Sequence, residues 1–461
     1  MPHTLLVATA VLVAGLAVGR ATTPSPAAPA SGAPVARLFV QDLKSCSLKW
    51  ADVRVGPGGK LALAALAAVP GFPKLDPARQ KLVQMRESGS LLCVGVRDDD
   101  GGKLGSGWVL VQTGVGYADH GDHGHWSYKK QPAVADSRVG PDQGNPAHVY
   151  LYGGKFFVAH DGLDGYARID PAKYATNEAR SLGKGAPQFL AGGGGHITLA
   201  VADDKVGYAC WIDGGGPNKG RVDVTPVTAA AKTGPGYSFH LPSGGIHGAT
   251  VNSGKVFFAP AEGVCWVEAD AGLKLKADQV MVCHIDLGKE GGAARRTGAF
   301  VNHGRHVLFV AGKDDPALVV LDARDAWPKP VAVPLAPRTR GRVTTPAAVT
   351  AADGKAYALL FHEAPGAGDA LEVVALDPNG DGRLADARSV KTLAVGRNAV
   401  QGHFGHHDVG FDADRKHAFF TNPGDGTLSV LSLTTLDIVA TFPVGGTPTA
   451  LVVRGGEDLD D

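Results

Sequence analysis

The sequence predicts an all-β protein, a β-propeller of four-stranded blades, on three observations. Glycine accounts for 64 and proline for 30 of 461 residues with no collagen period, a composition that suits many strands joined by tight turns. Helix-length apolar periodicity is nearly absent beyond the first 20 residues. A unit of about fifty residues recurs, the period of four-stranded propeller blades.

Taken in chain order, Leu5 to Val18 is an unbroken apolar run, too short for a comfortable membrane span and followed by small residues up to Ala21. It reads as an export signal over residues 1–21, with a retained anchor as the alternative because no Lys or Arg precedes it. Residues 22–34 form a Pro/Ala-rich linker with no core-forming side chains. A single propeller domain is expected over 35–455, and residues 456–461 form an acidic tail expected to be disordered.

Within the domain, RLFVQD, SLKWADVRV, QKLVQMRES, LLCVGVRD and GSGWVLVQTG are strand-like runs. Clear units then begin at His148, His196, His247, Gly298, Ala347 and His407, spaced 48, 51, 51, 49 and 60 residues apart between those positions. Each carries a short strand, a turn with Lys or Arg, and β-branched or aromatic strands such as VFFA, HVLFV and HAFF, bounded by Gly, Asp and Asn. TPTALVVR, from Thr447, reads as an inner strand lacking its followers. Joined to the strands of Arg37 to Val55 it would close the ring and remove the free edges. Unit counting gives eight blades, with seven as the alternative because the N-terminal division is less regular.

Zero formal net charge, from 45 Lys and Arg against 45 Asp and Glu, argues against nucleic acid or an anionic membrane as the main partner. Five cysteines, none in a CxxC pair, allow two disulfides and a free thiol, or five buried thiols.

The 17 histidines are placed unevenly. His148, His196, His247 and His407 all open the first strand of a unit, while the units at Gly298 and Ala347 keep the strands and lack the histidine. A histidine needed for the fold should recur with the fold. First strands line a propeller's channel and begin at one mouth, so these imidazoles should converge there as ligands for zinc or another transition metal. A second group, DHGDHGHW, holds Asp119, His120, Asp122, His123 and His125. His123 and His125 are assigned to the metal site, His120 and Asp122 to a secondary or transfer site. A third, GHFGHHD, supplies His403, His406, His407 and Asp408; His406 or His407 is expected to face the channel, with Asp408 binding metal or orienting an imidazole. Asp161 and Glu262 are weaker acidic candidates. Asp377, Asn379 and Asp381 match the front half of a calcium loop, but Arg388 stands where such a loop wants Glu; a plain Asp-Gly turn is the alternative.

HGDHGH, the AHV and GIHGATV strand starts and the GHHDVGF entry to the last unit resemble AztD-type zinc chaperones, over most of the chain from about Gly114 onward. The resemblance implies a periplasmic propeller that passes zinc to the solute-binding protein of a zinc ABC transporter, with the ion among His123, His125, His148, His196, His247 and His407. The implied mechanism is stepwise ligand exchange in which the His120 to His125 loop takes or offers the ion. Two other functions compete: a metal-dependent hydrolase or lactonase at the channel mouth with Glu262 or Asp408 as base, and a non-catalytic interaction propeller.

Overall fold

The computed structural model describes residues 32–121, 124–174, 187–228, 234–336, 341–364 and 368–457. The export signal, most of the linker, Asp122 and His123, and residues 458–461 lie outside them. No described helix is long and apolar enough to cross a membrane.

The described strands form eight antiparallel blades and two small hairpins. Blade 1 contains Pro34–Asp42 and Ser47–Val55, with Pro448–Arg454 as its innermost strand. Blade 2 runs from Gln80–Ser88 through Leu91–Asp98 and Ser106–Gln112 to Ala133–Gly140. The inner strands of blades 3 to 8 are Val149–Tyr152, Thr198–Ala202, Ala249–Asn252, Val301–His303, Ala347–Thr350 and Val409–Phe411. The count is therefore eight, and the C-terminal strand closes the ring as the sequence predicts. The hand-over is antiparallel, pairing Arg37 with Arg454 through Val40 with Leu451.

Middle strands are apolar on both sides because each blade face packs on its neighbour. Leu91 to Val96 are buried, and Tyr208 and Val224 of blade 4 share a cluster with Val256 and Phe258 of blade 5. Outer strands alternate: Arg388–Ala394 reads exposed, half-buried, exposed along its length, as one solvated face requires.

All five cysteines are buried free thiols, so the disulfide alternative is not realised. Burial pushes the Cys46 thiol up to about 11, those of Cys210 and Cys265 to about 12, and Cys93 higher still. A thiol that is neither ionised nor accessible is a poor nucleophile. The folded protein should thus give no fast reaction with a thiol-specific disulfide reagent at pH 8 and release five equivalents on denaturation; rapid native labelling would contradict this packing.

The first two residues of the acidic tail are tied down rather than disordered. Tyr128 donates to the Gly456 carbonyl at 2.8 Å, and Glu457 pairs with Lys416 at 2.5 Å.

Candidate metal site at the upper mouth

All inner strands run in one sense, so their beginnings share one mouth of the channel, called upper here. Three histidines from adjacent blades meet at it. The His148 and His196 Nε2 atoms are 2.9 Å apart, and the His196 and His247 rings lie 5.0 Å apart, centre to centre, and nearly stacked. The His148 and His247 rings are 6.3 Å apart.

Each ring is placed by local structure. His148 begins the inner strand of blade 3, its carbonyl accepting the Ala159 N–H. His196 follows a run of four glycines. Gly193, at φ +75°, would bring a Cβ within 3.0 Å of the Cys210 carbonyl, so only glycine fits this turn. Asp223 anchors the same turn: buried, it accepts the Gly193 N–H at 3.0 Å and the Trp211 indole N–H at 2.7 Å. His247 is held between its own N–H bond to the Ala259 carbonyl and its imidazole.

Partners stand behind two of the rings. The His247 Nδ1 lies 3.2 Å from the Gly298 carbonyl, which can only accept, so Nδ1 carries the proton and Nε2 the lone pair. The His196 Nδ1 lies 3.4 Å from an Asp161 carboxylate oxygen, within ion-pair distance. Asp161 is itself fixed by Arg97 at 3.1 Å and the Ile197 N–H at 3.1 Å. A carboxylate or carbonyl behind a ligating imidazole is the usual second layer of a metal site. His148 Nδ1 is buried without a partner, at a cost of about 1–3 kcal/mol. Burial, then the neighbouring His196 and His247, holds the His148 pKa well below the usual 6.5. Burial lowers that of His247 as well.

Donor chemistry fits zinc, and spacing does so for the His148–His196 pair, while the three rings together do not bring their nitrogens within 4.8 Å of one another. Imidazole nitrogens about 2.0–2.1 Å from a tetrahedral ion lie about 3.4 Å apart. The 2.9 Å pair must open slightly and His247 must swing inward. Three protein nitrogens leave one coordination position open.

The other sequence-assigned residues lie elsewhere. His407 does not join the three. Its ring stacks on Phe361 at 4.6 Å and 12°, its Nε2 lies 3.0 Å from Asp369 and its Nδ1 2.5 Å from the Thr421 carbonyl; with both nitrogens engaged it anchors blade 8. His406 Nδ1 is held by Glu363 at 2.6 Å, and Glu363 also accepts the His407 N–H. Asp408, not either histidine, is in register with His148: its carbonyl accepts the Thr421 N–H as that of His148 accepts Ala159. The Asp408 carboxylate lines the channel and accepts the Leu451 N–H at 2.8 Å. His403 is exposed on the same upper loop. Glu262 is exposed.

His125 and His120 are at the opposite mouth. They flank the turn of the hairpin Gly116–Asp119 and Gly124–Ser127, with ring centres 5.3 Å apart. Trp126 of this hairpin lies under the Arg454 guanidinium at 5.1 Å. Arg454 ends the inner strand of blade 1 and pairs with Glu87, near the end of the inner strand of blade 2, at 3.0 Å. Arg454 is six residues below Pro448, roughly 20 Å of strand. His125 therefore cannot share an ion with His148, His196 and His247. His123 and Asp122 fall outside the described residues.

Asp377, Asn379 and Asp381 form a turn. Asp377 accepts the Asp381 and Gly382 N–H groups at 3.1 and 2.9 Å, and Asn379 accepts Asp381 at 3.0 Å. Among the described residues, Asp377, Asp381 and Asp386 are the one trio of acids or histidines with ligand atoms mutually within 4.8 Å. Both Asp377 oxygens and one of Asp381 already serve the turn, while Asp386 Oδ1 is buried without a partner. Asp161, a weak candidate in sequence, and Gly298, never a candidate, prove to be the groups that orient two of the three rings.

No family model and no curated protein sequence matches the chain. Solved structures do. AztD from Citrobacter koseri superposes with a TM-score of 0.62 at 16% identity, over 93% of this chain and 100% of that one. Its apo form gives 0.61 at 15% with the same coverage. This chain has the AztD-like propeller architecture. A dihydro-heme d1 dehydrogenase, NirN, solved in complex with DHE, superposes at 0.55 and 15% identity over 94% of this chain and 78% of that one. At such identities the likeness concerns the fold.

Proposed function

We propose that the protein is an exported zinc carrier that binds one ion through the Nε2 atoms of His148, His196 and His247 and releases it by ligand exchange. The observation that carries this reading is the gathering of three imidazoles from adjacent blades at one mouth, with the Gly298 carbonyl and the Asp161 carboxylate beside the Nδ1 atoms of two of them. The AztD-like architecture and the N-terminal apolar run support export and delivery to the solute-binding protein of a zinc ABC transporter. The open fourth position is where an acceptor's ligand would enter, so each step replaces one ligand by another and bare zinc never forms.

The hairpin with His120 and His125 belongs to a separate, lower-mouth site on this reading. Arg86, on the inner strand of blade 2, lines the channel, and its positive charge opposes passage of a divalent ion. Transfer between the two histidine groups inside one chain is therefore disfavoured.

The test is zinc titration of metal-free, untagged protein at pH 7. One tight equivalent per chain is expected, with anomalous scattering at the zinc edge placing it among the three histidines; no tight binding by folded protein rejects the proposal. Turnover of lactones or phosphoesters by the zinc-loaded protein, lost in His247→Ala, would instead make the site hydrolytic.

A further inference from the structure

Blade 7 carries a motif that zinc transfer leaves unused. In DPNGDG, Asp377, Asn379 and Asp381 stand at positions 1, 3 and 5 of a calcium loop and Gly382 at position 6. Arg388 takes position 12, where such a loop places a carboxylate. The fold supplies that carboxylate from a nearer residue. The loop joins the third strand of the blade, Ala370–Ala375, to the fourth, Arg388–Ala394. Between them a single 3-10 turn, Leu384–Asp386, is pinned by Leu384, which is buried in a cluster with Leu308 and Leu376. This turn carries Asp386 back over the loop. One carboxylate oxygen each from Asp377, Asp381 and Asp386 then lies within 4.8 Å of the other two, a span that oxygens about 2.3–2.6 Å from one calcium ion can cover.

Asp386 is also the acid left unsatisfied. Its Oδ1 is buried and has no hydrogen-bond partner, whereas the backbone of the loop donates to both oxygens of Asp377 and to Oδ1 of Asp381. A buried carboxylate oxygen without a donor is costly, and here it stands beside two more carboxylates. Among the described residues no Lys or Arg pairs with any of the three. Arg305, in the turn after the inner strand of blade 6, reaches the loop only at the Gly382 carbonyl, at 2.9 Å, and its charge is met by Asp322 at 2.9 Å. Three converging like charges with an orphaned oxygen call for a cation, and a donor set made only of oxygen selects a hard one.

We propose that Asp377, Asn379, Asp381 and Asp386 bind one calcium ion, with Asp386 doing from position 10 what a position-12 carboxylate does in a continuous loop. The site ties the third strand of blade 7 to the fourth. It lies at the face where inner strands end, away from His148, His196 and His247, and does not depend on zinc.

The experiment is calorimetric titration of the full, metal-free chain with calcium chloride. A dissociation constant of about 0.1–1 mM is expected, the range of extracellular calcium modules, weakened at least about tenfold in Asp386→Asn. No binding by wild type, or identical isotherms for wild type and Asp386→Asn, overturns the site. In thermal melts, calcium at about 10 mM should raise the wild-type Tm by about 2 °C and leave Asp386→Asn unmoved; an equal rise in both overturns the assignment to Asp386. Should Asp386→Asn fail to fold, wild-type crystals soaked with terbium, an anomalous scatterer that accepts the oxygen ligands of calcium, decide the same question. A peak among Asp377, Asp381 and Asp386 supports the site, and its absence overturns it.

Discussion

His196→Ala is expected to lower zinc affinity by at least about two orders of magnitude, a larger loss than any other single change outside the His148, His196 and His247 set. His196 is the middle of the three, facing His148 through Nε2 at 2.9 Å and His247 at 5.0 Å between ring centres. Its removal leaves two imidazoles, 6.3 Å apart between ring centres, where the site had three ligands. Asp161→Asn should do less, about 10–100-fold, because it removes the charge behind the ring and leaves the ligand. Competition against a chromophoric chelator measures both. Equal affinity of wild type and His196→Ala would move the ion elsewhere, whereas loss with His407→Ala but not His196→Ala would restore the sequence-based placement on blade 8. His407→Ala is expected to spare zinc and lower stability, since its ring fills the space against Phe361 and satisfies Asp369.

That contrast shows what was legible in the sequence. The blade period exposed the inner strands and hence the common mouth, because a repeat fixes equivalent positions regardless of what they carry. It did not fix the register to one residue. The Asp408 carbonyl takes the place of that of His148 in the ladder, as the Gly248 carbonyl does in blade 5, so His407 and His247 share one register position. What separates them is their partners: His407 is drawn into blade 8 by Phe361, Asp369 and the Thr421 carbonyl, which the doubled histidine of GHHD gives no way to foresee. The dense group at Asp119 to Trp126 misled for a different reason. Histidine spacing reports local clustering but not which end of a strand a loop leaves from. These residues connect the third and fourth strands of blade 2, and after three strands of alternating direction that connection emerges at the mouth where inner strands end. Gly298 was invisible because its contribution is a backbone carbonyl, which every residue possesses.

Ring closure carries the second large effect. Asp42→Ala should destabilise the protein by about 3 kcal/mol, the scale for stripping a buried carboxylate from charged and N–H partners. Asp42 ends the first strand that the chain contributes to blade 1, yet it accepts the N–H of Thr447 at 2.7 Å, 405 residues away. It also accepts from Ser45 at 2.5 Å and pairs with Lys49 at 2.6 Å. The same carboxylate thus fixes the turn that follows its own strand and the entry of Pro448–Arg454, the strand that shuts the ring. Burial alone would raise its pKa, but the bonds from Lys49, Ser45 and Thr447 outweigh burial and hold it below the usual 3.8. A carboxyl with a depressed folded pKa contributes stability that is fully present above its unfolded value and is lost as pH falls through the folded one. The penalty of Asp42→Ala should accordingly be largest from pH 5 upward and shrink below pH 4. At about 2.1 cal/mol/K of unfolding entropy per residue, spread over 461 residues, 3 kcal/mol corresponds to only about 3 °C in Tm if the ring melts as one unit. Local opening of the closing strand is the more sensitive readout, since blade 1 alone is assembled from both ends of the chain. Hydrogen exchange at Val452 and Val453 should rise by roughly two orders of magnitude in Asp42→Ala, while Asp437→Ala, which removes an exposed pair with Lys391, leaves it unchanged. Undiminished protection in Asp42→Ala would mean that the antiparallel ladder between Arg37 and Arg454 closes the ring without help from the carboxylate.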